Sequence, residues 1–242
     1  MSALGHYLEQ EGIATVAISL VRAQTENVRP PRALWVPFEL GRPFGPPSDP
    51  GFQTNVVMTA LRMLEITSGP SVLRDFPLDD PREAPDLRWR PPRLMTAGAR
   101  VSEDLATLLE CEIPMLESSY KQSVAQRGRT IVGLSGLSIN EAGHYVAAWL
   151  RGGIPPSPTA EMSAPLVLRF AVDDLKAYYT EAALAGPAKP SSKQIGDWFW
   201  DQTAAGDAIL NLRKIHLASS DDRLRAIAGL FLVPGIRATP TG

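Results

Sequence analysis

The chain has 242 residues, 44% of them hydrophobic and 21% charged, with a formal net charge of −2. A chain of that length buries about 70–75% of its unfolded surface, enough for one large domain or two small ones. The near-neutral balance gives no general attraction to nucleic acid or to an anionic membrane, and no run of about 18 apolar residues is present to span a bilayer.

Ser2 to Glu11 reads as a short helix, with Leu4, Tyr7 and Leu8 on one face, His6 beside it and Gly12 as its stop. The same segment has neither the basic region nor the apolar core of a secretory signal. Ile13 to Leu20 has the β-branched composition of a buried strand, and Ala33 to Phe38 is a second, shorter apolar strand reached through a connection. Next comes the loop Gly41, Arg42, Pro43, Phe44, Gly45, Pro46 and Pro47, in which glycines allow unusual backbone angles and prolines stiffen the span. A helix from about Phe52 to Glu65 follows, with Val56, Val57, Ala60, Leu61 and Leu64 at helical spacing. A loop leading from a buried strand into a helix is a common ligand site in α/β proteins and an equally ordinary rigid turn.

Two segments, Gly12-Ile13-Ala14-Thr15-Val16 and Phe38-Glu39-Leu40-Gly41-Arg42-Pro43, occur here in a particular order of helix, strand, strand, loop and apolar helix. In this, residues 1–65 resemble the C-terminal part of the selenoprotein B type subunit of the glycine/betaine/sarcosine/D-proline reductase family. The resemblance implies a partial Rossmann-like parallel unit, a reductase-like activity and a ligand site at Gly41, Arg42, Pro43, Phe44 and Gly45, with His6 nearby. The family's selenocysteine or cysteine motif lies just upstream of the helix that here is Ala3 to Glu11, so no catalytic residue carries over. The expected role is therefore a scaffold or substrate pocket whose nucleophile comes from a Cys- or Sec-containing partner chain or from an upstream extension. An in-frame UGA read as a stop would place an apparent start at about Met1. The alternative expectation is a non-catalytic binding protein with a degenerate α/β unit. Two strands alone make a poor sheet; a third is expected at Leu166 to Phe170, and either a second chain, another copy or a partner, completes the sheet or the real reading frame starts earlier.

Thr67 to Arg93 reads as an irregular, solvated connection in which Asp75, Asp79, Asp80, Glu83 and Asp86 alternate with Arg74, Arg82, Arg88, Arg90 and Arg93. These acids have no calcium-loop spacing. A helical region is expected from Ser102, capped by Ser102 with Glu103 and Asp104, kinked at Pro114 and ended by Gly128. The sole cysteine, Cys111, leaves no partner for an intrachain disulfide and fits a reducing, cytoplasmic setting. Its acidic neighbours Glu110 and Glu112 raise a thiol's pKa, so it is read as inert packing.

Arg127 to Gly136 could hold an anion on its backbone but lacks both the P-loop and the GxGxxG spacing; a tight interhelix turn is the plainer reading. Ser138-Ile139-Asn140-Glu141 is a capping box opening a helix through Tyr145, Trp149 and Leu150, with His144 off its stripe. Another helix is expected from Asp173 or Asp174. The longest helix is expected over Lys193 to Leu217, where Trp200 falls off the apolar stripe and is the candidate for a pocket or interface. Gly196 and Gly206 suggest close approach to that helix. His216 sits at its C-terminal end, where the dipole favours the protonated form. A last helix covers Asp221 to Leu232, and a disordered tail is expected from Pro234. His6, His144, His216 and Cys111 make no metal set by spacing, and no cofactor fingerprint is present. The expectation is α/β: a partial Rossmann-like unit over 1–66, a connection over 67–100, a mainly α-helical region over 101–233 and a tail over 234–242.

Overall fold

The computed structural model describes residues 2–67, 69, 71–81, 84–94 and 104–238. They fall into two compact units, Met1–Ala84 and Pro85–Gly242.

The first unit runs α1 (Ser2–Gln10), β1 (Ala17–Ser19), α2 (Arg22–Val28), β2 (Arg32–Trp35), α3 (Pro50–Arg62), a 3-10 turn (Met63–Glu65) and β3 (Val72–Asp75). The three strands form one parallel sheet in the order β1-β2-β3. Successive strand residues point to opposite faces. Leu34 therefore faces the side where Val56, Ala60 and Met63 pack, and all four are buried. Val57 and Leu61, expected on that face, are partly exposed on the outer side of α3. Beyond the ends of β2 and β3, the rings of Phe38 and Phe76 meet Phe52 at 5.6 and 5.9 Å, closing the carboxyl edge of the core.

The connection after β1 takes a definite form, and the expected third strand lies elsewhere. The connection between the first strands is a helix, α2, ended by Arg29 in the left-handed region (φ 50°) just before Pro30 and Pro31. The third strand is β3, within the segment read as irregular, and Asp80 in the same segment is buried rather than solvated. Leu166–Phe170 is helical instead, because its short apolar run continues into the stripe Leu168, Val172, Leu175 and Tyr179. The chain thus supplies three paired strands itself, and the α/β unit extends past residue 66 to Ala84. The rest of the expected connection belongs to the second unit: Trp89 Nε1–H donates to the Ala183 carbonyl at 3.0 Å, and Asp86 N–H donates to Gln194 Oε1 at 2.8 Å.

The second unit consists of α4 (Leu105–Met115), α5 (Glu117–Arg127), α6 (Ile139–Leu150), α7 (Ala164–Ala183), α8 (Ser192–Gln202), α9 (Ala204–Leu217), α10 (Asp222–Leu230) and the short α11 (Gly235–Ala238). Its core is built on α7, whose Val167, Leu168, Ala171, Val172, Leu175, Tyr178 and Tyr179 are essentially inaccessible. Pro114 lies in the last turn of α4, which is capped by Leu116 before α5, Gly128 ends α5 at φ 68°, and Ser138 with Glu141 forms the expected capping box. Asp104 caps α4 through Thr107 N–H, whereas the expected contributions of Ser102 and Glu103 lie outside the described residues. Arg82 and Glu83 also lie outside them.

The expected helix over Lys193 to Leu217 is two helices. Thr203 adopts φ −112° and ψ 149°, donates its hydroxyl to the Phe199 carbonyl at 2.7 Å, and accepts Gly206 N–H at 3.0 Å. A Cβ on Gly206 would overlap the Phe199 carbonyl, so that glycine does mark a close approach; Gly196 has open space around it and does not. The helix expected from Asp173 begins nine residues earlier, at Ala164. Gly235–Ala238 is helical, with Arg237 paired to Asp201 at 2.8 Å, so the expected disordered tail does not begin at Pro234; residues 239–242 lie outside the described ones. Among the described residues no helix is long and apolar enough to cross a membrane.

Candidate functional site

The loop Gly41–Gly45 sits at the carboxyl edge of the sheet. It is two successive turns, with Arg42 N–H donating to the Glu39 carbonyl and Gly45 N–H to the Arg42 carbonyl, both at 3.0 Å. Gly41 (φ 91°) and Gly45 (φ 82°) hold left-handed angles that favour glycine. At Gly45 a Cβ would also overlap the Phe52 ring. The Arg42 guanidinium pairs loosely with Glu39 at 3.4 Å, and the Phe44 ring is exposed. The loop leads to the N-terminus of α3, where Asp49 accepts Phe52 N–H at 3.0 Å and Gln53 Nε2 donates to the Pro46 carbonyl at 2.8 Å. The anion-binding capacity of that helix end is thus taken up by the chain's own Asp49.

The last residues of the three strands, Ser19, Trp35 and Asp75, lie in register on one face of the same edge. Ser19 Oγ is hydrogen-bonded to Thr25 Oγ1. Arg22 donates to Asp75 at 3.2 Å, pairs with Glu26, and lies 5.8 Å from the Trp35 ring centre. These pairs are about half exposed, so each contributes on the order of 0–1 kcal/mol. The edge therefore offers Arg42, a semi-exposed Trp35 and a row of polar strand ends: recognition groups, with no nucleophile and base in contact among the described residues.

His6 is elsewhere. Its Nε2 meets the Arg29 carbonyl at 2.9 Å, and Gly5 beside it packs against Thr15 and Pro31, just ahead of β1 and β2. That is the amino edge, separated from Gly41–Gly45 by the length of β2, about 13 Å. Here Glu9 accepts Thr15 N–H at 2.6 Å and Arg32 Nη1 at 2.5 Å, while Arg32 also donates to the Ile66 carbonyl at 2.8 and 2.9 Å. The Thr15 N–H, followed by its hydroxyl and Arg32, holds the Glu9 carboxyl below its usual range against the opposing effect of desolvation. A concavity of about 280 Å³ is lined by His6, Glu9, Gln10 and Arg32, and one of about 570 Å³ by His6, Thr25, Val28, Ala33 and Leu73. The structure does not bring His6 and the Gly41–Gly45 loop into one site.

Trp200, the expected candidate for a pocket or interface, belongs to the second unit and is buried in its core, its ring 4.9 Å from Phe199 and edge-on to it. Cys111 is exposed, not packed. His216 is buried beside the Trp149 ring at 5.3 Å, and desolvation lowers its pKa, overriding the dipole effect expected from its position.

The Arg127–Gly136 segment does carry anions, but internal ones. Asp174 of α7 accepts the N–H groups of Gly133, Leu134 and Ser135 at 2.7, 2.8 and 2.9 Å. One helical stretch later, Glu181 takes Ile131 N–H at 3.0 Å, Thr130 Oγ1 at 2.8 Å and the Arg127 guanidinium at 2.9 Å. Sequence reading missed this use because the acids lie some 40 to 50 residues downstream; the only signal was that Asp174 and Glu181, seven apart, fall among the buried positions of α7. On α4 and α6, Arg151 brackets Glu110 at 2.9 and 3.0 Å, and His144 Nδ1 contacts it at 2.9 Å. The Arg151 hydrogen bonds are the main reason the Glu110 pKa falls to about 2. Among the described residues no group of three or more His, Cys, Asp or Glu side chains is arranged to hold a metal. Comparison with protein-family models, with curated proteins and with solved structures finds no match to this chain.

Proposed function

We propose that the first unit is the scaffold or substrate-pocket part of a reductase-like system of the selenoprotein B type, with its redox Cys or Sec supplied by a partner chain. The observation that carries this reading is the parallel β1-α2-β2-α3-β3 order, with the Gly41–Pro47 loop at the carboxyl edge of its central strand. Ligands of open parallel sheets bind outside that edge. The partner's sulfur or selenium would approach there, beside Arg42, Phe44 and Trp35, since the start of α1 is at the opposite edge.

A second reading, a non-catalytic binding protein, is favoured by that same separation of His6 from the loop and by the internal use of the α3 N-terminus and of the Gly133–Ser135 amides. Native mass spectrometry of the protein purified from its own organism separates the two. A stable complex with a small Cys- or Sec-containing protein, lost in Arg42→Glu, supports the reductase-like role. The 242-residue chain recovered alone as a monomer supports the second reading and overturns the first.

A further inference from the structure

Independently of that reading, the segment Asp86–Arg90 and the turn after α7 enclose a concavity of about 300 Å³ lined by Arg88, Trp89, Arg90, Ala185, Pro187 and Ala188. Its floor is apolar and fixed: Trp89 is buried and tied by its indole N–H to the Ala183 carbonyl. Its rim is fixed too. Gln194 pairs with the Asp86 backbone in both directions, at 2.8 and 3.1 Å, and Lys189 N–H donates to the Asp86 carboxylate at 3.0 Å. Asp86 is the acid beside the pocket, and it is already engaged by the Arg88 guanidinium, Lys189 N–H and Arg88 N–H.

Arg90 differs. Its Nη1 donates to the Leu87 and Trp89 carbonyls, both at 2.8 Å, which holds the guanidinium plane in place. Its Nη2 and Nε meet no acceptor among the described residues. A guanidinium pre-oriented at the mouth of an apolar hollow matches a planar anion in two ways: a paired hydrogen bond to the charged end and a dry surface for the body. We propose that this hollow is a binding site for a small organic carboxylate, its oxygens on Arg90 and its apolar body on Trp89, Pro187 and Ala188.

Benzoate is a suitable probe, followed by 1H–15N NMR of the full chain. We expect saturable shifts of the Trp89 indole N–H and of the Ala185 and Ala188 amides, with a Kd on the order of millimolar for a ligand of this size. Arg90→Ala should weaken binding at least ~10-fold with the remaining spectrum unchanged, and Arg90→Lys should lie between, because lysine keeps the charge without the fork. Benzyl alcohol, which keeps the ring without the charge, should also bind at least ~10-fold more weakly, the loss expected for a charge-assisted pair. Absence of saturable shifts up to ~20 mM benzoate, well above the Kd expected for such a fragment, overturns the proposal. So do shifts of equal affinity in Arg90→Ala or with benzyl alcohol.

Discussion

Asp174 accepts both the backbone N–H and the hydroxyl of Ser135, at 2.9 and 2.5 Å, and with Gly133 and Leu134 it organises a loop that begins 41 residues before it. The carboxylate is fully buried, so its lost hydration is replaced by these donors alone. Asp174→Asn puts an amide NH2 against N–H donors, and it should destabilise the protein by about 2–4 kcal/mol. Ser135→Ala removes one donor and should cost about 1 kcal/mol. Urea unfolding of the two variants checks the ratio; equal effects would mean that the backbone donors contribute little.

The two glycines of the α8–α9 region should behave oppositely. Gly206→Ala drives a Cβ into the Phe199 carbonyl, backbone against backbone, and should cost about 2–4 kcal/mol or block folding. Gly196→Ala meets open space inside α8 and should stabilise by up to about 1 kcal/mol. Thermal unfolding of Gly196→Ala alone is sufficient to contradict the helix assignment if the midpoint drops.

Acid should act through His216 first. Burial holds its folded pKa below the ordinary 6.5, so the folded state favours the neutral ring. The stability this supplies is present above pH 6.5 and is lost as pH falls through the lower folded value. Glu110, depressed from 4.5 to about 2, has the same sign in a lower window: its contribution holds above pH 4.5 and declines toward pH 2. Denaturation midpoints measured from pH 7 to 5 should fall in the native chain and fall less in His216→Phe, whereas Glu110→Gln should lower the midpoint by a constant amount over that range and reduce the further loss below pH 4.5.

Cys111 lies on the exposed side of α4. A thiol-specific chromogenic reagent should therefore titrate one thiol per chain under native conditions, without denaturant. Reaction only after unfolding would place the sulfur inside.

Much of the local structure was legible from the residues. The capping box at Ser138 and Glu141, the stop at Gly128 and the break at Pro114 are short-range, and each appears where the sequence puts it. The loop Gly41–Pro47 and its following helix were legible for the same reason. Two failures are local, the cap at Thr203 that divides α8 from α9 and the start of α7 after Ser163; the others are non-local. Val72–Asp75 is four residues long and becomes a strand only because β2 offers its other edge. Leu166–Phe170 has strand-like composition, but its apolar positions extend along α7 and are buried there. Trp200 and His216 fall off or at the end of a helical stripe, yet both are buried, His216 beside Trp149 of α6 and Trp200 within the core of the second unit.

The sequence by itself determined the helix ends set by the strongest local signals, the stops at Gly12 and Gly128 and the capping box at Ser138, because caps and glycines act within one turn of themselves. Only the tertiary structure decided which strand completes the sheet, which edge each candidate residue occupies, and which carboxylates fill the Gly133–Ser135 nest. Those outcomes depend on partners 20 to 100 residues away, chosen by burial and by the need of every buried charge for donors.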